Sequence, residues 1–307
     1  MRALISTPKA SAPVELRDGL AEPTPAPDEA VIAVRAAGIN RGELRLLATR
    51  DQWGPGQDVA GEVVRAAADG SGPPVGARVV ALVDMGGWAE RVAPVDRIGV
   101  LPDGVSFAAA ASLPVAALTA LRALRAGGPL IGRRVLVTGA AGGVGRFAVE
   151  LAARGGAAAV AAVVRDVATR GAGLRELGAT EVVTAVSAAT SGPFDIALES
   201  VGGATLTETV NALAADGIAL VFGNSSNEPS TITFAELRGL PRRRVQGFGV
   251  YTSGPGLGED LRFLVALVGR GELHPETGTP WAWRDAPAAL AALRDRTVNG
   301  KAILLLD

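Results

Sequence analysis

Four glycines in the run Val135-Leu136-Val137-Thr138-Gly139-Ala140-Ala141-Gly142-Gly143-Val144-Gly145 are the residues whose type and spacing point most directly to chemistry. An apolar strand turning into a helix on such a run leaves the first helical N–H groups open at the positive end of the helix dipole. Side chains at that place would keep a diphosphate out. The amides of Ala141, Gly142, Gly143 and Val144 are set to hold one, and Gly145 lets the helix pack closely on the sheet. In the G-x-G-x-x-G frame the first glycine is replaced by Ala140, so the run alone also suits a tight turn with no ligand. Its setting favours a dinucleotide. A strand precedes it, and an amphipathic helix follows with Val144, Phe147, Ala148 and Leu151 at i, i+3, i+4 and i+7.

Twenty positions beyond Gly145 the next strand ends in Arg165. A carboxylate at that place would accept from the ribose 2′-hydroxyl of NAD, whereas a guanidinium pairs with the 2′-phosphate of NADP. Arg170, about a helical turn further on, supports the same phosphate, so NADPH is the expected cofactor. Asp166 competes as a ribose ligand, and Arg165 also reads as a solvated strand end. Elsewhere the inventory is sparse. The chain has no cysteine, which removes thiol nucleophiles, disulfides and thiolate metal sites, and its one histidine, His274, reads as a surface or interface residue. No metal site is expected. Tyr251, the only tyrosine, is a candidate proton donor, and a buried or interfacial role suits it equally.

The elements that must position these residues change character along the chain. Up to about residue 115, short alternating strands, among them Ala30 to Ala37, Asp58 to Arg65, Arg78 to Leu82 and Trp88 to Ala93, are separated by turn residues such as Asp69-Gly70 and Asp103-Gly104. From a helix at Ala116 to Ala126 onward, strands alternate with helices: Arg134 to Thr138, Ala158 to Val164, Glu181 to Thr184, Asp195 to Glu199, Ile218 to Phe222 and Arg244 to Gly249. That alternation implies a Rossmann-type, doubly wound parallel α/β sheet with right-handed crossovers. A last helix near Leu261 to Arg270 precedes a β-like tail ending in Ala302 to Leu306. The expected organisation is a β-rich domain of residues 1–115 and 272–307 with a dinucleotide-binding domain of residues 116–271 inserted in it.

The 307 residues are 48% hydrophobic and 20% charged, with a net charge of −1. The scattered arginines give no basic footprint for nucleic acid. Neither a signal peptide nor a membrane span is apparent, so a cytoplasmic protein without a membrane partner is expected. Trp88, after Gly86-Gly87, reads as core, and Trp281 and Trp283 as alternating across one strand.

Beyond the glycine run, the chain carries Ala37-Gly38-Ile39-Asn40, Gln57-Asp58-Val59-Ala60-Gly61-Glu62-Val63, Leu101-Pro102-Asp103-Gly104, Leu113-Pro114-Val115-Ala116-Ala117-Leu118-Thr119-Ala120, Glu199-Ser200-Val201-Gly202-Gly203, Phe222-Gly223-Asn224-Ser225-Ser226 and Gly300-Lys301. With these in order over nearly its whole length, it resembles the medium-chain dehydrogenase/reductase superfamily and, within it, the zinc-free quinone oxidoreductases related to zeta-crystallin. The resemblance implies a GroES-like catalytic domain and a nicotinamide lying between the domains. Asn40 and Thr119 would line that ring, with Asn40 counted as catalytic beside Tyr251. Val201 and Phe222, Gly223, Asn224 and Ser225 would border the ribose and pyrophosphate, Arg165 and Arg170 would meet the 2′-phosphate, and Lys301 would join the cofactor residues. It also implies a homodimer formed by extending the nucleotide-domain sheet at Arg244 to Gly249.

Without a metal to polarise a carbonyl, a quinone or conjugated enone is the easier hydride acceptor, because it delocalises the developing charge and needs only hydrogen-bond donors and a proton. An enoyl thioester or a specialised-metabolite double bond would suit the same scaffold. A non-catalytic NADPH-binding structural or sensor protein is the alternative of another class. The chain departs from the family in lacking an aromatic residue a few positions after Asn40, where it reads Arg41-Gly42-Glu43-Leu44-Arg45. Glu43 and Arg45 suit a solvated ion pair or a pocket for an anionic substrate, and the residues do not separate the two. The stretches Arg45 to Gln57 and Val186 to Pro193 are shorter than in relatives, which implies a more open site.

Overall fold

A computed structural model describes residues 1–8, 12–94, 96–238 and 242–306. Apolar runs cut by Gly and Pro form seven short strands before residue 101: β1 (Ala3–Ser6), β2 (Val14–Arg17), β3 (Val31–Ile39), β4 (Asp58–Arg65), β5 (Arg78–Leu82), β6 (Arg91–Val92) and β7 (Ile98–Val100). β1 and β2 make a hairpin, while β3, β4, β5 and β7 run antiparallel in that order with β6 on β3. Between β3 and β4 lies helix α1 (Arg41–Thr49), and α2 (Phe107–Ala111) follows β7. The sequence reading assigned no element to α1, whose Gly42 weakens the helical signal, although Leu44 and Leu47 keep the i, i+3 spacing of a packed face.

From α3 (Pro114–Gly127) the chain enters the alternating part: β8 (Arg134–Thr138), α4 (Gly143–Arg154), β9 (Ala159–Val163), α5 (Val167–Arg170), β10 (Glu181–Val183), β11 (Phe194–Glu199), α6 (Gly203–Asn211), β12 (Leu213–Val221), α7 (Phe234–Arg238) and β13 (Arg244–Gly247). These six strands are all parallel, in the order β10-β9-β8-β11-β12-β13. Their near-continuous apolar residues follow from burial on both faces, as in Val135, Leu136 and Val137 of β8, none of which is exposed. Strand order reverses between β8 and β11, and in open sheets of this kind ligands bind beyond the carboxyl ends of the strands at such a switch point.

The tail adds α8 (Leu257–Gly269), β14 (Trp281–Ala282), α9 (Ala286–Arg294) and β15 (Ala302–Leu305). β15 pairs antiparallel with β3, Ala302 opposite Ile39, so the chain does return to the β-rich unit. One core joins the two ends of the chain: Ile32, Leu47, Val59 and Trp88 pack with Trp283, Leu290 and Leu304. Burying an aliphatic side chain of this size stabilises the fold by roughly 1.5–3 kcal/mol.

The compact units divide as Met1–Leu118 with Pro255–Asp307 and Thr119–Gly254. They differ from the expected domains mainly at α8, which the sequence reading placed with the dinucleotide unit. That helix packs on β7: Gly99 closely approaches Val265, and Arg262 Nη1 donates to Ile98 O at 3.2 Å. Trp88 is in the core, its Nε1 donating to Gly38 O at 3.2 Å. Trp281 and Trp283 do not alternate across a strand, because β14 stops at Ala282 and a 3-10 turn, Val-free and beginning at Trp283, carries that ring into the core under Arg2. Among the described residues no helix is long and apolar enough to cross a membrane.

Candidate functional site

Two polar constellations stand out, one in each unit. In the alternating unit, the strand-to-helix turn after β8 holds Gly139 at φ +60, and Gly142, the cap of α4, donates its N–H to Gly139 O at 2.9 Å. A Cβ at Gly145 would overlap Gly139 O and lie 2.6 Å from Ala140 Cα. The glycine therefore spares the loop beneath the helix, which is a more local role than the helix-on-sheet packing expected of it. A Cβ at Gly142 would sit 3.2 Å from Gly139 O, so a side chain would crowd the cradle from within.

Glu199, at the end of β11, ties this turn to its neighbours and was given no role by the sequence reading. It is fully buried, and its Oε1 accepts from Val201 N at 2.8 Å, Gly202 N at 3.0 Å and Thr138 Oγ1 at 3.2 Å. Its Oε2 has no partner, and burial pushes its pKa above the ordinary carboxyl value against those three bonds. Ser200 continues the stitching, its N–H donating to Thr138 Oγ1 at 3.0 Å. The loop after β12 joins through Phe222 N to Glu199 O and Ser225 N to Ser200 O, each at 3.0 Å. A Cβ on Gly202 would overlap Asn224 Oδ1. The structure thus brings Val201, Phe222, Gly223, Asn224 and Ser225 together with the glycine turn at the switch point.

Ala140 N donates to Val163 O at 3.0 Å, so the turn also runs beside the end of β9, two residues before the exposed Arg165. Arg170, half-buried at the end of α5, has its pKa lowered by burial and by the neighbouring Arg165 charge. Asp166 is engaged locally as the cap of α5, its Oδ1 accepting from Ala168 N at 2.8 Å and Thr169 N at 3.3 Å; a hydrogen bond from the Thr169 side chain, with these two, lowers its pKa. The acid is therefore turned toward its own helix. Thr119 lies buried on α3. Tyr251 sits in a 3-10 turn after the edge strand β13 and is 41% exposed, so a buried role is ruled out. His274 is on the surface.

In the β-rich unit, three residues far apart in sequence meet in the interior. Lys301 is 4% exposed and Asp58 0%. The ammonium donates to Asn40 Oδ1 at 2.7 Å, Asp58 Oδ2 at 2.8 Å and Ile39 O at 3.1 Å. Asn40 Nδ2 donates to the same Asp58 oxygen at 2.9 Å, and Asp58 Oδ1 accepts from Val115 N at 2.8 Å. Lys301 was expected among the cofactor residues. All three of its N–H donors are instead taken by protein oxygens, so it reaches a ligand only through Asn40.

Glu43 is neither a surface ion-pair member nor part of an anion pocket with Arg45, which is exposed. It is fully buried, accepting from Asn40 N at 2.7 Å and Gly56 N at 3.0 Å, and burial pushes its pKa up to about 8. A Cβ on Gly38 would lie 2.5 Å from Ala111 O and 2.8 Å from Asp58 Oδ2, so the glycine of Ala37-Gly38-Ile39-Asn40 makes room for this cluster. The hydrogen-bonding acid at position 58 carried no distinguishing mark in sequence beyond its motif.

A dinucleotide fits the first constellation, since Cβ atoms at Gly142 and Gly145 would crowd the turn and no side chain caps the first amides of α4. A zinc ion does not fit: the sequence has no cysteine and one histidine, and among the described residues no group of three or more His, Asp or Glu is gathered to hold a metal.

Comparison with known proteins bears on the family and the fold. A family model described as an alcohol dehydrogenase GroES-like domain matches residues 26–118, and one described as a zinc-binding dehydrogenase matches residues 177–304. The spectinabilin polyketide synthase system protein NorB of Streptomyces orinoci is 33% identical over 292 residues, covering 92% of this chain. The chain spans only 13% of that relative's length. Among solved structures, the quinone oxidoreductase from Coxiella burnetii has a TM-score of 0.85 at 26% identity, covering 100% of this chain and 99% of that one. The Escherichia coli quinone oxidoreductase complexed with NADPH has a TM-score of 0.87 at 22% identity, covering 99% of this chain and 100% of that one, and shares the fold.

Proposed function

The chain belongs to the medium-chain dehydrogenase/reductase superfamily, in its quinone-oxidoreductase-like part, and from that premise we propose that this oxidoreductase delivers hydride from NADPH to a quinone or an α,β-unsaturated carbonyl without zinc. The observation that carries the reading is the glycine cradle at the switch point between β8 and β11, beside the end of β9, with Arg165 just past that strand and Arg170 at the end of α5. When bound, the cofactor supplies a hydride at its nicotinamide ring. The amides of Ala141, Gly143 and Val144 hold the diphosphate at the positive end of α4, the Gly142 N–H being taken by Gly139 O. Arg165 and Arg170 pair with the 2′-phosphate, an anion that also relieves the repulsion between them. Val201, Thr119 and the loop of Phe222 to Ser225 border the ribose and the ring.

On the acceptor side, Asn40 supplies an N–H to the oxygen on which negative charge develops, and Tyr251 is the candidate for the proton. The 33% identity to a polyketide synthase protein across 92% of the chain favours an enoyl thioester as the second substrate reading. A homodimer fits the edge strand β13, whose four residues are all exposed, Val245 by 47%. The protein works in the cytoplasm on a small-molecule acceptor, with no nucleic-acid partner.

Purified protein mixed with NADPH and, separately, quinones, enones and enoyl thioesters is expected to consume the reduced cofactor, followed by its near-ultraviolet absorbance. Tight NADPH binding with no turnover on any of the three would refute the enzyme reading in favour of a binding protein. Tyr251→Phe is expected to slow turnover, and an unchanged rate would remove it from the mechanism.

A further inference from the structure

Asn40 has an amide that can sit in its pocket two ways round, and a rotation of its carboxamide by half a turn would exchange a hydrogen-bond acceptor for a donor. The chain has surrounded it with groups that permit only one of them. Oδ1 lies 2.7 Å from the Lys301 ammonium, which has no acceptor, and Nδ2 lies 2.9 Å from the Asp58 carboxylate. Reversal would set an NH2 group against an ammonium and a carbonyl oxygen against a carboxylate, turning two attractive contacts into two repulsive ones. The two charged groups are themselves fixed. Lys301 is held by Ile39 O at 3.1 Å and Asp58 at 2.8 Å, and Asp58 by Val115 N at 2.8 Å. Glu43 accepts the Asn40 backbone N–H at 2.7 Å, so the main chain is anchored as well as the side chain.

We propose that Lys301 and Asp58 are positioning residues that lock the polarity of the Asn40 amide, so that its one remaining Nδ2–H, and never its oxygen, is offered to the hydride acceptor. The inference rests on the proposed reduction, in which Asn40 meets an oxygen gaining negative charge. A fixed donor there needs no reorganisation as the charge forms, whereas an amide free to turn would present a carbonyl to a developing oxyanion part of the time. The substrate class follows. The lock favours acceptors whose reacting end is a carbonyl oxygen, as in quinones, enones and enoyl thioesters, over those that need an acceptor group in the site. Both charges lie in the interior beside a half-buried asparagine, an arrangement that a residue serving only as packing would not require.

The test is a mutant cycle. The double variant Asp58→Asn/Lys301→Met removes both orienting charges without leaving either one buried alone. It is expected to lower kcat ~10- to 100-fold, with the dissociation constant for NADPH, read by fluorescence titration without any acceptor, changed no more than about threefold, because the adenosine half binds elsewhere. In an Asn40→Ala background the same pair of changes is expected to add nothing to the loss in kcat. An equal loss in both backgrounds, or no loss in the first, would overturn the proposal. A second measurement needs no variant. With 15N-asparagine labelling, the five asparagines of the chain give few side-chain signals, and the Nδ2 proton that Asn40 donates to Asp58 is expected to exchange with solvent far more slowly than those of an exposed asparagine. Exchange as fast as that of an exposed asparagine would overturn the lock even in an active enzyme. Absence of turnover in the parent protein would count against the proposed reaction, while a held amide would still establish the lock.

Discussion

Removing the Lys301 ammonium offers the most direct reading of how the β-rich unit is held. Lys301→Met keeps much of the side-chain volume and deletes a charge whose three bonds, between 2.7 and 3.1 Å, end on Asn40 Oδ1, Asp58 Oδ2 and Ile39 O. Asp58, 0% exposed, would then carry an uncompensated negative charge, stabilised only by Asn40 Nδ2 and Val115 N. Breaking one side of a buried pair typically costs about 3–5 kcal/mol, a large share of the stability of an ordinary domain. Adding Asp58→Asn to that variant removes the stranded charge and is expected to recover most of the loss. All four tryptophans, at 53, 88, 281 and 283, lie in this unit, so urea unfolding followed by their fluorescence reports on it alone. A loss below about 1 kcal/mol for Lys301→Met, the size seen for a solvated pair, or a double variant no more stable than the single one, would refute the argument.

Other outcomes follow from the same geometry. Arg165→Asp is expected to raise the NADPH dissociation constant roughly 10- to 100-fold while sparing NADH, since one charge-assisted contact is worth about 1.5–3 kcal/mol; equal losses for both cofactors would show that Arg165 does not read the 2′-phosphate. Gly145→Ala forces a Cβ onto Gly139 O and is expected to destabilise by about 1–3 kcal/mol and to weaken NADPH binding in calorimetry, with unchanged binding counting against the cradle. Glu43 has a folded pKa raised to about 8 from its ordinary value of 4.5, so its stabilising, protonated state is fully present below that lower value and is lost as pH rises through 8. The urea midpoint of the β-rich unit should therefore fall between about pH 5 and pH 8, and Glu43→Gln should flatten that dependence.

Much of the alternating unit was legible because parallel strands buried on both faces read as uninterrupted apolar runs, and glycines at a strand end carry a backbone requirement that few other patterns impose. The end of β9 was legible for the same reason, its place being counted from the loop. Asp166 was not, because whether an acid caps its own helix or faces a ribose is decided by a backbone angle that composition does not reveal. The β-rich unit hid its chemistry better. Glu43 looks solvated beside two arginines, and only the turn of α1 carries it inward beneath Gly56. Lys301 counts as a cofactor residue only through the resemblance, and its partners prove to come from residues 39, 40 and 58. Helix α8 was misassigned because its apolar face is the same whichever unit it packs against, and Gly99 and Ile98 decide the matter through space.

The pairing of β15 with β3 has a consequence for how the molecule is made. Lys301 and Ile39 are 262 positions apart, and the whole alternating unit is translated between them. On the ribosome that contiguous unit can mature as soon as it emerges, whereas the N-terminal strands must wait, with Asp58 lacking its counter-ion, until residues 301–305 arrive to close the sheet. Chaperones would meet the nascent chain in that interval, and slowing synthesis after residue 254 should lengthen their engagement with the early strands.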